Sequence, residues 1–145
     1  MINRTANCAC GQLSILCRGD PTFVALCHCQ HCQRRTGSVF AVNAVFPKSE
    51  TTSSGVASEF TRTGDSGRSV TFHFCPKCGT SVFWDLEARA DSYGVAVGAF
   101  ADPTFGPPAR AVWAENMHEW AVPQASIPAF QKGAAAAAPK AGKPG

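Results

Sequence analysis

An all-β domain is what this sequence predicts, on three observations. Apolar and polar residues alternate over short stretches, and clusters of Gly, Pro, Asp and Ser break those stretches at close intervals. Seven of the eight cysteines are grouped at metal-ligand spacing, and helix candidates are few and short. Many brief strands between tight turns argue for small packed sheets.

Each element follows from its residues. Asn7-Cys8-Ala9-Cys10-Gly11 opens the fold, with a glycine suited to a turn of positive φ. Leu13, Ile15 and Cys17 share one face of a strand that Gly19-Asp20-Pro21 ends, which makes Cys17 a core residue and not a ligand. Residues 23–26 form an apolar run into a loop over residues 27–40, and Phe40, Val42, Ala44 and Phe46 mark the next strand. Residues 49–58, rich in Ser and Thr, read as loop or sheet edge. Residues 60–63 read as a short strand before the turn Gly64-Asp65-Ser66-Gly67. Val70, Phe72 and Phe74 alternate with Ser69, Thr71 and His73 in the clearest strand, which enters Cys75-Pro76-Lys77-Cys78-Gly79 and resumes over residues 80–84. Residues 86–91 read as a helical turn or loop and residues 93–100 as a glycine-bearing strand. Ala111-Val112-Trp113 and Trp120-Ala121-Val122 are apolar pieces that could cover the sheet.

At 145 residues, with 45% hydrophobic content, the chain fits one domain with its own core. That domain is expected over residues 1–132. Residues 133–145 are Ala, Gly, Pro and Lys with nothing to build a core, so a disordered tail is expected there. The first residues lack the apolar stretch of a signal peptide and no run approaches a membrane span, so a soluble, cytoplasmic protein is expected.

A reducing cytoplasm disfavours a disulfide framework, and C-x-C, C-x-C-x-x-C and C-x-x-C are ligand spacings. Strand, C-P-x-C-G, strand is the pattern of a zinc knuckle, which supplies two ligands, Cys75 and Cys78. Cys8 and Cys10 are the pair that would complete a closed four-sulfur site, a staple with much of a small fold's stability in it. Cys27, Cys29 and Cys32 are left for a second site with an open position. Three thiolates would blunt the Lewis acidity of a zinc ion there, which favours holding a soft thiolate over making hydroxide. The net charge of +3 does not argue for nucleic acid. Seven thiolates and two zinc ions bring it to roughly zero, and the longest basic run is Arg34-Arg35.

Taken together, these groups resemble the glutathione-dependent formaldehyde-activating enzyme family, also called the centromere protein V/GFA domain. The similar features are Cys8-Ala9-Cys10-Gly11, Cys27-His28-Cys29 through Cys32-Gln33-Arg34-Arg35-Thr36-Gly37-Ser38-Val39-Phe40, residues 63–68, Phe74-Cys75-Pro76-Lys77-Cys78-Gly79 and the region from Trp113 to Trp120. The resemblance covers roughly residues 5–132 and leaves out the tail and Cys17. It implies a β-tent fold of small antiparallel sheets, two zinc ions and a carbon–sulfur lyase that joins formaldehyde to glutathione. It also implies a structural zinc on Cys8, Cys10, Cys75 and Cys78 and a catalytic zinc on Cys27, Cys29 and Cys32, in agreement with the spacing.

Glutathione carries two carboxylates, so Arg34, Arg35 and Arg68 are candidate contacts to it. His28 and His31 invite a general-base role but, interleaved with ligands, are expected to point outward. Ser38 and Thr36 are candidate hydrogen-bond donors to a metal-bound sulfur. The competing readings are a zinc-stabilised binding module of the same fold without catalysis, and an enzyme acting on another thiol.

Overall fold

The structure is a computed structural model and describes residues 1–122 and 126–134. The expected tail lies outside the described residues from residue 135 on; Gly133 sits against the Trp113 indole. The elements run β1 (Asn3–Asn7), β2 (Ser14–Arg18), β3 (Phe23–Cys27), α1 (Gln30–Thr36), β4 (Ala41–Pro47), β5 (Thr51–Ser54), β6 (Ser58–Thr63), β7 (Ser69–Phe74), β8 (Ser81–Leu86), β9 (Ser92–Ala96) and β10 (Arg110–Val112). Short 3-10 turns follow at Lys48–Glu50, Glu87–Arg89, Val97–Phe100 and Ala114–Asn116. Strand outweighs helix, 41% to 15%, so the chain is mostly β as predicted. Among the described residues no helix is long and apolar enough to cross a membrane.

The chain forms two compact units, the first of Met1–Phe23 with Ala44–Phe105, the second of Val24–Asn43 with Gly106 onward. In the first unit β2 lies between β1 and β5, antiparallel to both. Leu13, Ile15 and Cys17 are buried, as their alternation requires. Cys17 belongs to neither cysteine cluster, and burial pushes its thiol up to about 12 against the opposing charge of Arg4. β1 lacks an apolar face and was not foreseen; it forms because β2 offers it a ladder from Asn3↔Arg18 to Asn7↔Ser14. β5 takes the other edge of β2, in the stretch read as loop or edge.

The second sheet of this unit runs β9, β8, β7, β6, all antiparallel. Val82, Phe83 and Trp84 are consecutive and all buried, because β8 is an interior strand covered on both faces. Trp84 pairs with Gly94 across the β8–β9 ladder and lies 5.4 Å from the Phe72 ring. A side chain at position 94 would run into the Trp84 indole, so glycine is required there by close packing. β9 stops at Ala96, short of the predicted Phe100, because its pairing with β8 ends at Val95. The chain then turns through Val97–Phe100 and leaves with Ala101 in the left-handed region at φ 49°.

A polar network crosses this sheet. Asp85 bridges Lys48 Nζ at 2.6 Å and His73 Nε2 at 2.7 Å, while Glu59 approaches His73 Nδ1 at 3.5 Å. The His73 ring stacks on Phe83 at 4.6 Å. Burial pushes the Asp85 carboxyl up, but the hydrogen bonds from His73 and Lys48 outweigh it and hold the group below its usual 3.8.

In the second unit β3 pairs with β10, Leu26 opposite Ala111 and Cys27 opposite Val112. This pair is parallel, unlike the antiparallel sheets expected throughout. Parallel strands need a long crossover, and residues 28–109 supply one. Trp120 and Val122 are 74% and 64% exposed, so that piece does not cover a sheet as expected; only Ala121 between them is buried. Residues 27–40 are not all loop, since α1 occupies half of them.

Two outcomes follow. Gly94→Ala should lower the unfolding free energy by about 2 kcal/mol in urea titration, because the buried Trp84 cannot yield. Asp85→Asn should cost about 1 kcal/mol at pH 7. A carboxyl held low in the folded state stabilises above its unfolded pKa and loses that contribution as pH falls through the folded one. The difference between variant and wild type should therefore close as pH drops below about 4.

Candidate metal centres

The first centre is built from two tight turns. Cys8 and Cys10 sit in the β1–β2 turn, closed by Cys8 N–H donating to Leu13 O at 2.9 Å and by Gly11 at φ 83°. Cys75 and Cys78 sit in the β7–β8 turn, closed by Cys75 N–H to Thr80 O at 3.0 Å and by Gly79 at φ 77°. Both glycines stand where an L side chain would be strained. The four Sγ atoms lie within 4.8 Å of one another, with Cys8–Cys10 at 3.6 Å and Cys10–Cys75 at 3.7 Å. These are too long for disulfides, at about 2.05 Å. They match the edge of a sulfur tetrahedron with metal–sulfur bonds of about 2.3 Å, which is about 3.8 Å.

Donors converge on these sulfurs. Leu13 N–H reaches Cys8 Sγ at 3.3 Å, and Lys77 and Cys78 N–H reach Cys75 Sγ at 3.4 and 3.5 Å. Gln12 Nε2 donates to Cys75 Sγ at 2.9 Å, and the same amide clasps Val56 through its N–H and carbonyl. The Thr80 hydroxyl lies 3.3 Å from Cys78 Sγ and accepts from Ala9 N–H, tying one turn to the other. Gln12 and Thr80 carry no motif signal in the sequence. Hydrogen bonds from Thr80 draw the Cys78 thiol down to about 5. Burial pushes Cys75 up, but Gln12 and the turn amides outweigh it. Cys10, despite a backbone hydrogen bond from Gln12, is pushed up to about 11 by the neighbouring thiols and burial. Four sulfurs this close cannot all ionise unless a cation joins them.

The second centre is the β3–α1 junction. Cys27 ends β3, Cys29 is the N-cap of α1 with ψ 150°, and its Sγ accepts from Cys32 N–H at 3.3 Å. Gly37, at φ 71°, closes the helix by donating to Gln33 O at 2.8 Å, and Arg34 and Arg35 occupy its last turn. The three Sγ atoms lie within 4.8 Å of one another, and all three residues are buried against Ala41, Val112 and Trp113. Among the described residues no His, Asp, Glu or further Cys joins the group. Hydrogen bonds from the Cys27 and Cys29 thiols, then the Arg35 guanidinium, hold the Cys32 thiol far down. Cys27 is driven far up by hydrogen bonding to Cys29 and Cys32 and by burial.

The surrounding candidates separate. Arg34 is exposed on α1, and Arg68 is exposed in the β6–β7 turn of the other unit. Arg35 is half-buried, with Nη2 3.5 Å from Asn43 Oδ1. His28 does not point outward: it is fully buried, edge-on to Phe40 at 6.1 Å, and neither ring nitrogen has a hydrogen-bond partner among the described residues. Successive residues of extended backbone face opposite ways, so when Cys27 and Cys29 converge, His28 is turned to the other side, which here is interior. Burial lowers its pKa and the charge of His118 adds to this. The Thr36 hydroxyl donates to Cys32 O at 2.8 Å and accepts from Ser38 N–H, so it caps backbone and does not reach a sulfur. His31 is half-exposed.

Among solved structures, a crystal structure of a Rhodobacter sphaeroides protein is similar in fold, with a TM-score of 0.53 and 21% identity over 71% of this chain and 91% of that one. No curated protein matches the sequence. The family model described as glutathione-dependent formaldehyde-activating enzyme (GFA) matches residues 3–116, a span that contains β1 to β10, α1 and both thiol centres. The chain belongs to the glutathione-dependent formaldehyde-activating enzyme family.

Proposed function

We propose that this protein is a zinc-dependent carbon–sulfur lyase that condenses formaldehyde with glutathione to S-hydroxymethylglutathione, or acts on a related glutathione or thiol adduct. The observation that carries the reading is the contrast between the centres, four converging thiols in one and three in the other. Cys8, Cys10, Cys75 and Cys78 would hold a structural zinc, and Cys27, Cys29 and Cys32 a catalytic one with a position to spare. A zinc ion bound there would offer that position to a thiol and lower its pKa.

The reaction needs no oxidant: glutathione sulfur adds to the carbonyl carbon, and the thiol proton ends on the oxygen. The chain's part is to present three sulfurs in a site screened by Val112 and Trp113, with Cys32 N–H fixing the Cys29 sulfur. Arg34, exposed on the last turn of α1, would meet a carboxylate of the tripeptide, and Arg68 is a further candidate contact. Eight cysteines without a disulfide between them suit a reducing cytoplasm.

Exchange between formaldehyde, glutathione and their adduct, followed by NMR with zinc-loaded protein, should run faster than the spontaneous reaction. In Cys29→Ser it should fall to the spontaneous rate while the thermal midpoint stays near wild type. Cys75→Ser should instead lose the four-thiol metal and several degrees of midpoint, since that centre joins two turns 65 residues apart. Wild-type protein with both metals bound and no acceleration would move the function to another thiol substrate or to a binding role.

A further inference from the structure

We infer that Arg35 sets the charge of the three-thiol centre and thereby favours an anionic sulfur over a neutral ligand at its remaining position. This rests on the reading of that centre as a thiol site.

Arg35 lies three residues beyond Cys32 on α1, so both side chains share one face of the helix. Its Nε is out of contact with solvent and its Nη2 reaches Asn43 Oδ1 on β4 at 3.5 Å, so the guanidinium is held from the strand side. Arg34, one residue earlier, is exposed. Of the two adjacent arginines, one is free for solvent or substrate and the other is committed to the interior beside Cys32.

Charge arithmetic gives the arrangement a purpose. Three thiolates and a dication carry one net negative charge, and an added thiolate makes two, in a site whose cysteines are at most 7% exposed. A fixed cation beside Cys32 offsets the second charge. A neutral ligand gains nothing from it. Arg35 is therefore a positioning and charge-setting residue acting through Cys32, and not a contact to the carboxylates of glutathione.

The test uses the full chain loaded with cobalt(II), whose sulfur-to-metal charge-transfer band reports the thiolates. Glutathione, 2-mercaptoethanol and imidazole are titrated into wild type, Arg35→Gln and Arg35→Lys. In Arg35→Gln both thiols should bind about ten-fold more weakly, ~1.4 kcal/mol, with imidazole unchanged and Arg35→Lys close to wild type. Loss for glutathione alone would overturn the inference in favour of a carboxylate clamp, because 2-mercaptoethanol has no carboxylate. Equal loss for all three ligands, or for none, would also overturn it. The ligand-free band separates this inference from the reading it rests on. Removing a cation raises the sulfur lone pairs, so the Arg35→Gln band should move to the red, and an unmoved band would overturn the charge-setting role. Wild-type protein that binds neither thiol would defeat the thiol-site reading, while a red-shifted band would keep Arg35 as the residue that sets the centre's charge.

Discussion

Sulfur atoms packed within a few ångströms of one another cannot all be thiolates unless a cation lies among them, and this constraint shapes both halves of the protein. In the first unit it joins two turns that lie far apart in sequence, with Cys10 and Cys75 sulfurs 3.7 Å apart. Each turn is a β-hairpin connection closed by a left-handed glycine, so the strands on either side set where the sulfurs go. The hydrogen bonds to sulfur come from backbone amides and from Gln12 and Thr80, which orient the cysteines. Gln12 does so while holding Val56, so the loop after β5 is tied to the same centre.

In the second unit the same constraint produces a helix. Seven residues are too few for a helix that would persist alone in water. α1 exists because Cys29 caps it through sulfur, Gly37 ends it and Cys32 is buried beneath it. One residue thus serves both as helix cap and as candidate ligand. The three-thiol group is left short of the four donors that a closed site takes, and this difference from the first centre is what makes chemistry conceivable there.

Around that centre, residue types that looked alike in the sequence have different tasks. Arg34 faces solvent, and Arg35 turns inward toward Cys32 and Asn43. His28 and His31 flank Cys29, yet one is fully buried with no polar partner among the described residues and the other is half-exposed. Burial opposes charging the His28 ring, so it fits the interior as a neutral imidazole.

The sequence by itself determined the mostly-β class, most of the strands, the division of seven cysteines into four and three, and the exclusion of Cys17. These are local facts, because period-two alternation, glycine-closed turns and ligand spacing are each complete within a dozen residues. Only the tertiary structure decided that residues 30–36 are helical, that β1 and β10 are strands, that β10 runs parallel to β3, and that His28 faces inward. A helix capped by a cysteine gives no standard capping signal, and β1 and β10 take their ladders from partners elsewhere in the chain. The direction of a histidine between two candidate ligands depends on which side of the backbone the sulfurs claim. That choice is made by packing, which local spacing does not encode.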